Sequence, residues 1–195
     1  MAETKQSKMV LKKKRWCPIM APKLFREAKI GETYLVDPAT AIGRKMKVSL
    51  MQITGDPKAQ NTKIEFKITG QHEGKLITEP LGYELNNAAM KRMIRRGRTK
   101  IQDSIVLETG DKKKIRIKPI VVTRNVILGG TQKELRQRML NYVKEKITKQ
   151  NFEDTMKELL NKKFQKTGNE LMRKLCPIHT FDIKQIRRIE EKKLT

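Results

Sequence analysis

The sequence predicts an α+β fold: an antiparallel, barrel-like β core with one inserted basic helix, followed by a C-terminal helical group. Three observations predict it. Segments between residues 32 and 123 alternate apolar and polar side chains with a period of two, the pattern of half-buried strands. After Gly129-Gly130 the spacing changes, and Leu135, Met139, Val143 and Ile147 recur about once per helical turn. A last segment, 178–189, returns to alternation at Phe181 and Ile183. Strands, then helices, then one more strand argue against a βαβ repeat, and no internal repeat is present.

Residues 1–15 are polar, basic and without period, and they predict a disordered arm that orders on RNA. The rest, 16–195, is expected to form one globular domain, β-rich over 32–123, helical over 131–176 and closed by the strand 178–189. Its first strand holds Tyr34, Leu35 and Val36 and stops at Asp37-Pro38. Met46, Val48 and Leu50 then alternate with polar neighbours before the Gly55-Asp56-Pro57 turn. Ile64, Phe66 and Ile68 alternate with Lys63, Glu65 and Lys67, and 74–79 is expected to pair with them as a hairpin. Strands over 101–108 and 115–123 flank Thr109-Gly110-Asp111-Lys112, a hairpin turn signal.

The inserted helix begins at a capping Asn86 or Asn87 and runs to Arg96, before Gly97. Ala89 and Met93, with Met90 and Ile94, form its apolar face. Three later helices are expected. The first starts at the capping-box pair Thr131 and Glu134. The second starts near Asn151 and buries Phe152, Met156, Leu159 and Leu160. The third starts at Thr167, with Glu170 three residues on, and stops at Pro177.

Composition then bounds the function. The 195 residues hold 45 Lys+Arg against 21 Asp+Glu, a formal net charge of +24. Such a chain repels itself unless a polyanion neutralises it, and nucleic acid is the commonest such partner. The apolar share is 37%, below the roughly 45–50% of ordinary domains with glycine counted, a gap that the 11 glycines close only in part, so part of the chain is expected to stay unburied by protein. Two cysteines, Cys17 and Cys176, are too few for a disulfide framework. No apolar run approaches a membrane span and the N-terminus lacks a signal-peptide core, so a soluble intracellular protein is expected.

Catalytic signals are poor. His72 and His179 are the two histidines, and neither sits in a nucleophile or metalloprotease motif. The run Gly70 to Lys75 is one residue short of a phosphate loop, and Leu76 replaces the hydroxyl that would bind magnesium. Cys176 and His179 have ligand-pair spacing, but Cys17 and His72 are not a second close pair, so zinc is not expected. Neither a metal nor a cofactor is predicted.

The strong signal is cationic. Lys12, Lys13, Lys14 and Arg15 form a first cluster, and Arg44 with Lys45 a second. Lys91, Arg92, Arg95, Arg96, Arg98 and Lys100 form a third, in a stretch without acid. Lys112, Lys113 and Lys114 open a fourth that runs to Lys118, and Arg187 and Arg188 lie near the end. One cluster alone is more often a solvated face, but several in a chain with so little acid point to phosphate contacts. If six to ten of them met phosphate, affinity would fall by roughly 10³–10⁵ between low and moderate salt. Aromatic residues make up only 5%. Phe66, Phe152 and Phe181 fall on apolar faces, leaving Trp16, Phe25, Tyr83 and Tyr142 as candidates for base stacking. Trp16 is the best of these, or else an anchor at the rim of the sheet. A footprint of phosphate and shape suits folded RNA.

Short pieces in a fixed order carry a resemblance. They are Arg15-Trp16, Ala21-Pro22-Lys23-Leu24-Phe25, Ile30-Gly31-Glu32-Thr33, Val48-Ser49-Leu50, Gly82-Tyr83-Glu84-Leu85 and Thr109-Gly110-Asp111. After them come 132–139 with Arg136 and Arg138, and Cys176-Pro177-Ile178-His179 leading into Phe181-Asp182-Ile183-Lys184. Over residues 15–190 the chain resembles the archaeal and eukaryotic small-subunit ribosomal protein family called S-three-A-e, or S-one-e. Position 176 departs from it, with Cys where an aromatic residue is expected. The end of the chain soon after Ile189 resembles archaeal members. The resemblance implies a non-enzymatic, cytoplasmic protein of the small ribosomal subunit. It implies a place on the platform, near the 3′ end of the rRNA and the mRNA exit path. The partners implied are small-subunit rRNA, nearby mRNA and ribosomal proteins including the universal platform protein S-eleven, and it adds Arg136 and Arg138 to the candidate RNA contacts. The alternatives are an RNA-processing enzyme, for which Glu79, Asp103 and Glu108 are the nearest carboxylates, and a basic protein that compacts nucleic acid or lies on anionic lipid through the 90–96 helix.

Overall fold

In the computed structural model, which describes residues 13–189, each alternating segment supplies a strand, except that Leu50, expected to continue the strand of Met46 and Val48, opens a short helix. In chain order the elements are β1 (Arg15–Met20), β2 (Lys29–Leu35), β3 (Lys45–Ser49), α1 (Leu50–Thr54), β4 (Thr62–His72) and β5 (Lys75–Leu85). They continue with α2 (Asn87–Met93), β6 (Lys100–Gln102), β7 (Ile105–Glu108), β8 (Lys114–Thr123), α3 (Gly129–Lys149), α4 (Phe152–Leu160), α5 (Lys163–Arg173) and β9 (Ile178–Arg188). This is the expected α+β class. The barrel is not formed: the strands run β2-β1-β5-β9-β8-β6, with β7 on β8 and β3-β4 on β5, and no pairing closes the row. Strand β6 is only three residues long, too short to carry a closing ladder.

Over the described residues the chain divides into two compact units, 13–45 with 67–79, and 46–66 with 80–189. In the first, β1 lies antiparallel to β2 and parallel to β5, with Ile19 opposite Leu76 and Met20 opposite Ile77. Cys17, Ile19, Phe25, Ala41, Ile68 and Leu76 are buried there. Glu73 and Gly74, both at positive φ, make the two-residue turn from β4 to β5, the geometry that matches strand twist. Strand β1 has no counterpart in the sequence expectations, and Arg15, placed in the arm, is its first residue.

In the second unit β8 is the hub, pairing antiparallel with β6, β7 and β9. The one strand expected over 101–108 is broken at Asp103-Ser104 into β6 and β7. Helix α3 buries Leu135, Met139, Val143 and Ile147 completely, as its period requires. Its start differs from the expectation. The helix begins at Gly129, and no side chain caps it, so Thr131 lies inside the first turn. Helix α5 likewise begins at Lys163, after Lys162 in the left-handed region, and the hydroxyl of Thr167 donates to the Lys163 carbonyl 3.2 Å away within the helix. Burial of Phe164 decides this: its ring packs with Tyr142 and Phe181 at centroid distances of 5.1 and 6.2 Å, which requires helix one turn earlier.

Candidate nucleic-acid interface

In the first unit, antiparallel register sets Trp16 opposite Tyr34. Alternation along β1 turns Cys17 and Ile19 inward, so Trp16 faces out and is 65% exposed, while Tyr34 is 51% exposed. Their ring centroids lie 5.0 Å apart with planes tilted by 40°. Two large rings left exposed beside each other are unusual, and an exposed aromatic face is what a nucleobase stacks on in a sequence-tolerant way. Lys13, Lys14 and Arg15 precede the pair and are exposed. Lys12 lies outside the described residues. The other aromatic candidates for stacking are corrected: Phe25, Tyr83 and Tyr142 are buried. Tyr142 donates its hydroxyl to the Phe164 carbonyl at 2.8 Å, and burial pushes its ionisation up to about 12.

Arg44 is exposed in the loop before β3, where Gly43 donates its N–H to the Ile68 carbonyl and the Arg44 carbonyl accepts from Ile68. Lys45 follows as the first residue of β3.

The basic helical segment is built by its apolar face. The Asn86 side chain accepts from the Ala88 N–H at 3.2 Å and starts α2. Met90 packs with Leu85, Ile120 and Val122, joined by Met93 and Ile94. The helix stops at Met93, earlier than expected. Ile94 leaves helical geometry at φ −88°, ψ 108°, which keeps its side chain on the apolar cluster, and Gly97 at φ 79° reverses the chain. Lys91 and Arg92 therefore project from a helix, whereas Arg95 and Arg96 project from a loop, and all four are exposed. Arg92 donates to Asn61 Oδ1 at 2.8 Å, and Arg98 donates to the Met93 carbonyl at 3.1 Å. Lys100 is exposed at the start of β6.

Between β7 and β8, Thr109 to Lys113 form the expected hairpin turn. Lys112 takes the left-handed conformation and donates to the Thr109 carbonyl, and Gly110 donates to the Gln150 carbonyl at the end of α3. Lys112 is exposed; Lys113 is half-buried with its ammonium 3.7 Å from Asp111. Lys114 opens β8. Down this strand Lys114 and Arg116 face outward, with Lys118 half-buried beyond them, and Arg116 stands opposite Arg187 on β9. Two like charges directly opposite repel. Arg187 is held by Glu65, 3.2 Å away on β4, whose carboxylate is only 12% exposed. Arg188 is half-buried opposite Ile115.

The two arginines of α3 are differently placed. Arg136 makes a two-pronged ion pair with Asp103, one prong 2.7 Å long, and Arg138 lies 3.5 Å from Glu134 one turn earlier. Lys100, Gln102, Gln132, Lys133 and Arg136 line a groove of about 320 Å³. The candidates thus sort by surroundings. Lys13, Lys14, Arg15, Lys91, Arg95, Arg96 and Lys112 are exposed charges on strand, helix and loop ends, while Arg136, Arg138 and Arg187 are already engaged by carboxylates. Two further groups escaped the sequence, Tyr34 and Arg124, whereas Arg116 lies inside the cluster that runs to Lys118. Tyr34 needed the β1–β2 register. Among the described residues no three His, Cys, Asp or Glu side chains group as metal ligands, and Cys17 and Cys176 are free and buried.

The sequence matches the ribosomal S3Ae family over residues 2–192. The chain belongs to that family. Its relatives include archaeal proteins named small ribosomal subunit protein eS1. The one from Methanothermobacter thermautotrophicus is 27% identical over 180 residues, 92% of each chain. The one from Nanoarchaeum equitans is 31% identical over 174 residues, covering 89% of this chain and 88% of the relative. The one from Halorubrum lacusprofundi is 35% identical over 130 residues, 67% of this chain and 60% of the relative. The family resemblance carried by the short ordered pieces is therefore correct, and so is its archaeal leaning. Membership in the S3Ae family makes this a ribosomal protein, a structural component and not an enzyme.

Proposed function

We propose that this S3Ae-family chain is a structural constituent of the small ribosomal subunit in the cytoplasm, binding rRNA on the platform, near the rRNA 3′ end and the mRNA exit path. The universal platform protein S-eleven is among its neighbours in this reading, and mRNA passes nearby. The match over nearly the whole chain to a ribosomal family carries the proposal. The surface supports it physically. Exposed cations occur on strand, helix and hairpin ends in both units, so phosphate contacts at several places along the chain are favoured. The Trp16–Tyr34 pair supplies a place for an unpaired base among those phosphate contacts.

The test is sedimentation and crosslinking in cells. The tagged chain is expected to co-sediment with the small subunit and to crosslink to the 3′ region of its rRNA. A chain recovered only from the free soluble pool would overturn the ribosomal assignment, and crosslinks confined to another rRNA region would overturn the platform location.

A further inference from the structure

At one end of the second unit three acid-free segments meet. Thr123, the last residue of β8, donates its N–H to the Thr99 carbonyl at 3.0 Å, and its hydroxyl oxygen accepts from the Thr99 N–H at 3.0 Å. Arg124 donates its N–H to the Pro177 carbonyl at 3.0 Å, and Ile127 donates to the Thr99 hydroxyl at 3.2 Å. In the β8–β9 ladder Thr123 stands opposite Ile178 and Val122 opposite Thr180, so His179 emerges between them. Residues 85–102, 112–133 and 171–181, which supply these strands and loops, contain no Asp or Glu. They do contain Arg95, Arg98, Arg124 and His179. Arg95, Arg124 and His179 are exposed, and Arg98 is half-buried with its guanidinium tied to the Met93 carbonyl.

The imidazole records this crowding. Desolvation first, then the charges of Arg98, Arg124 and Arg95, hold His179 below the usual histidine range. The charged groups acting on it come from both other segments, and all are cations. A corner like this repels a metal ion and any basic partner. It favours an anion, and three guanidiniums with a ring that can gain a proton match the oxygens of a phosphodiester.

We propose that Arg95, Arg98, Arg124 and His179 form a single phosphate-binding corner that grips the RNA backbone and takes up a proton as it does so. The inference rests on the rRNA-binding reading above and adds a defined site to it. A bound phosphate replaces net repulsion around His179 with attraction, so its protonation becomes easier in the complex. By linkage, affinity for RNA then rises as pH falls through the His179 range.

His72 and His179 are the two histidines of the chain, so His72 is an internal reference for imidazole NMR. The full chain is titrated with pH alone, with a short RNA duplex, and with millimolar inorganic phosphate. In parallel, binding of a small-subunit rRNA transcript is measured against salt and pH for wild type, Arg95→Ala, Arg124→Ala and His179→Gln. Arg98 is left intact because it also holds its own loop, and circular dichroism checks each fold. The expected result is an upward shift of His179 with RNA while His72 stays put. Each arginine variant should lose about one unit of the log–log salt slope, and His179→Gln should lose the rise in affinity at lower pH. Normal rRNA binding by wild type and variants alike, with His179 unmoved, overturns the corner and leaves the ribosomal reading standing. Absence of rRNA binding by the wild type overturns both. An equal shift with inorganic phosphate at the same concentration would make this a small-anion site and overturn the RNA backbone as its occupant.

Discussion

Gly168 on α5 lies directly against the ring of Phe181 on β9: a Cβ added to the glycine would fall 2.6 Å from Cδ1 of the ring and 2.9 Å from Cε1 of Tyr142. The ring cannot retreat, because Phe181 is buried and packs with Phe164 and Tyr142. Two effects compete in Gly168→Ala. Helix propensity favours alanine by about 1 kcal/mol, whereas overpacking costs about 1–3 kcal/mol and more where no side chain can give. Overpacking wins at this contact. The melting temperature should fall by roughly 2–4 °C per kcal/mol lost, measured by circular dichroism, with the slope of rRNA binding against salt unchanged.

The exposed aromatic pair is expected to act without charge. Trp16→Ala and Tyr34→Ala should each weaken rRNA binding by about 1–3 kcal/mol, the usual value of a stacked base. The salt slope should stay where it is, since no phosphate contact is removed. Fluorescence quenching of Trp16, the single tryptophan, on adding the transcript gives a direct readout. Unquenched emission with unaltered affinity would mean that the pair only caps the edge of β1 and β2.

Removing charge from the basic helical segment should do the reverse. Arg92→Ala, Arg95→Ala and Arg96→Ala combined should lower affinity and flatten the log–log salt slope by roughly 2–3 units. Arg92 donates to Asn61, so the single variants separate its anchoring share from the phosphate share of the loop arginines. An unchanged slope in the triple variant would show a merely solvated segment.

Asp182 predicts a pH dependence of stability. Burial raises its ionisation above the usual carboxylate range, opposed by hydrogen bonds from the Ile183 N–H and Gln165 and by Lys162. A carboxyl raised in the folded state contributes stability that is full below its unfolded value near 4 and is lost as pH rises through the folded value. Asp182→Asn keeps the acceptor that Ile183 uses at 2.7 Å and removes the buried charge. The variant should therefore be the more stable at pH 7 and should lack the decline between mildly acidic and neutral pH. Melting curves across that range check it; a variant less stable at pH 7 would show that the ionised form is needed.

Much of the core was legible because it is periodic. Ile64, Phe66 and Ile68 on β4, and Leu135, Met139, Val143 and Ile147 on α3, are buried in the positions their spacing assigns. Two helix starts were legible, at Asn86 and Asn151, and two were not. Thr131 with Glu134 and Thr167 with Glu170 satisfy a capping pattern, but local hydrogen bonding is worth about 1 kcal/mol, less than the burial of an aromatic ring such as Phe164. Strand β1 escaped because its first residue, Arg15, closes a basic run, Pro18 interrupts it, and its alternation shows only in Cys17 and Ile19.

The candidate interface divides the same way. Charge, its clustering and the absence of acid are properties of the residues themselves, so the sequence alone determined an RNA-binding protein and, through its ordered pieces, the family. Which cations are already engaged by carboxylates was decided only by tertiary structure. Asp103 and Glu65 lie far along the chain from Arg136 and Arg187, yet they hold those guanidiniums. Strand register put Tyr34 beside Trp16, and the meeting of three chain segments set Arg124 beside His179. Such pairings depend on distances in space, and a linear pattern carries no information about them until the sheet is assembled.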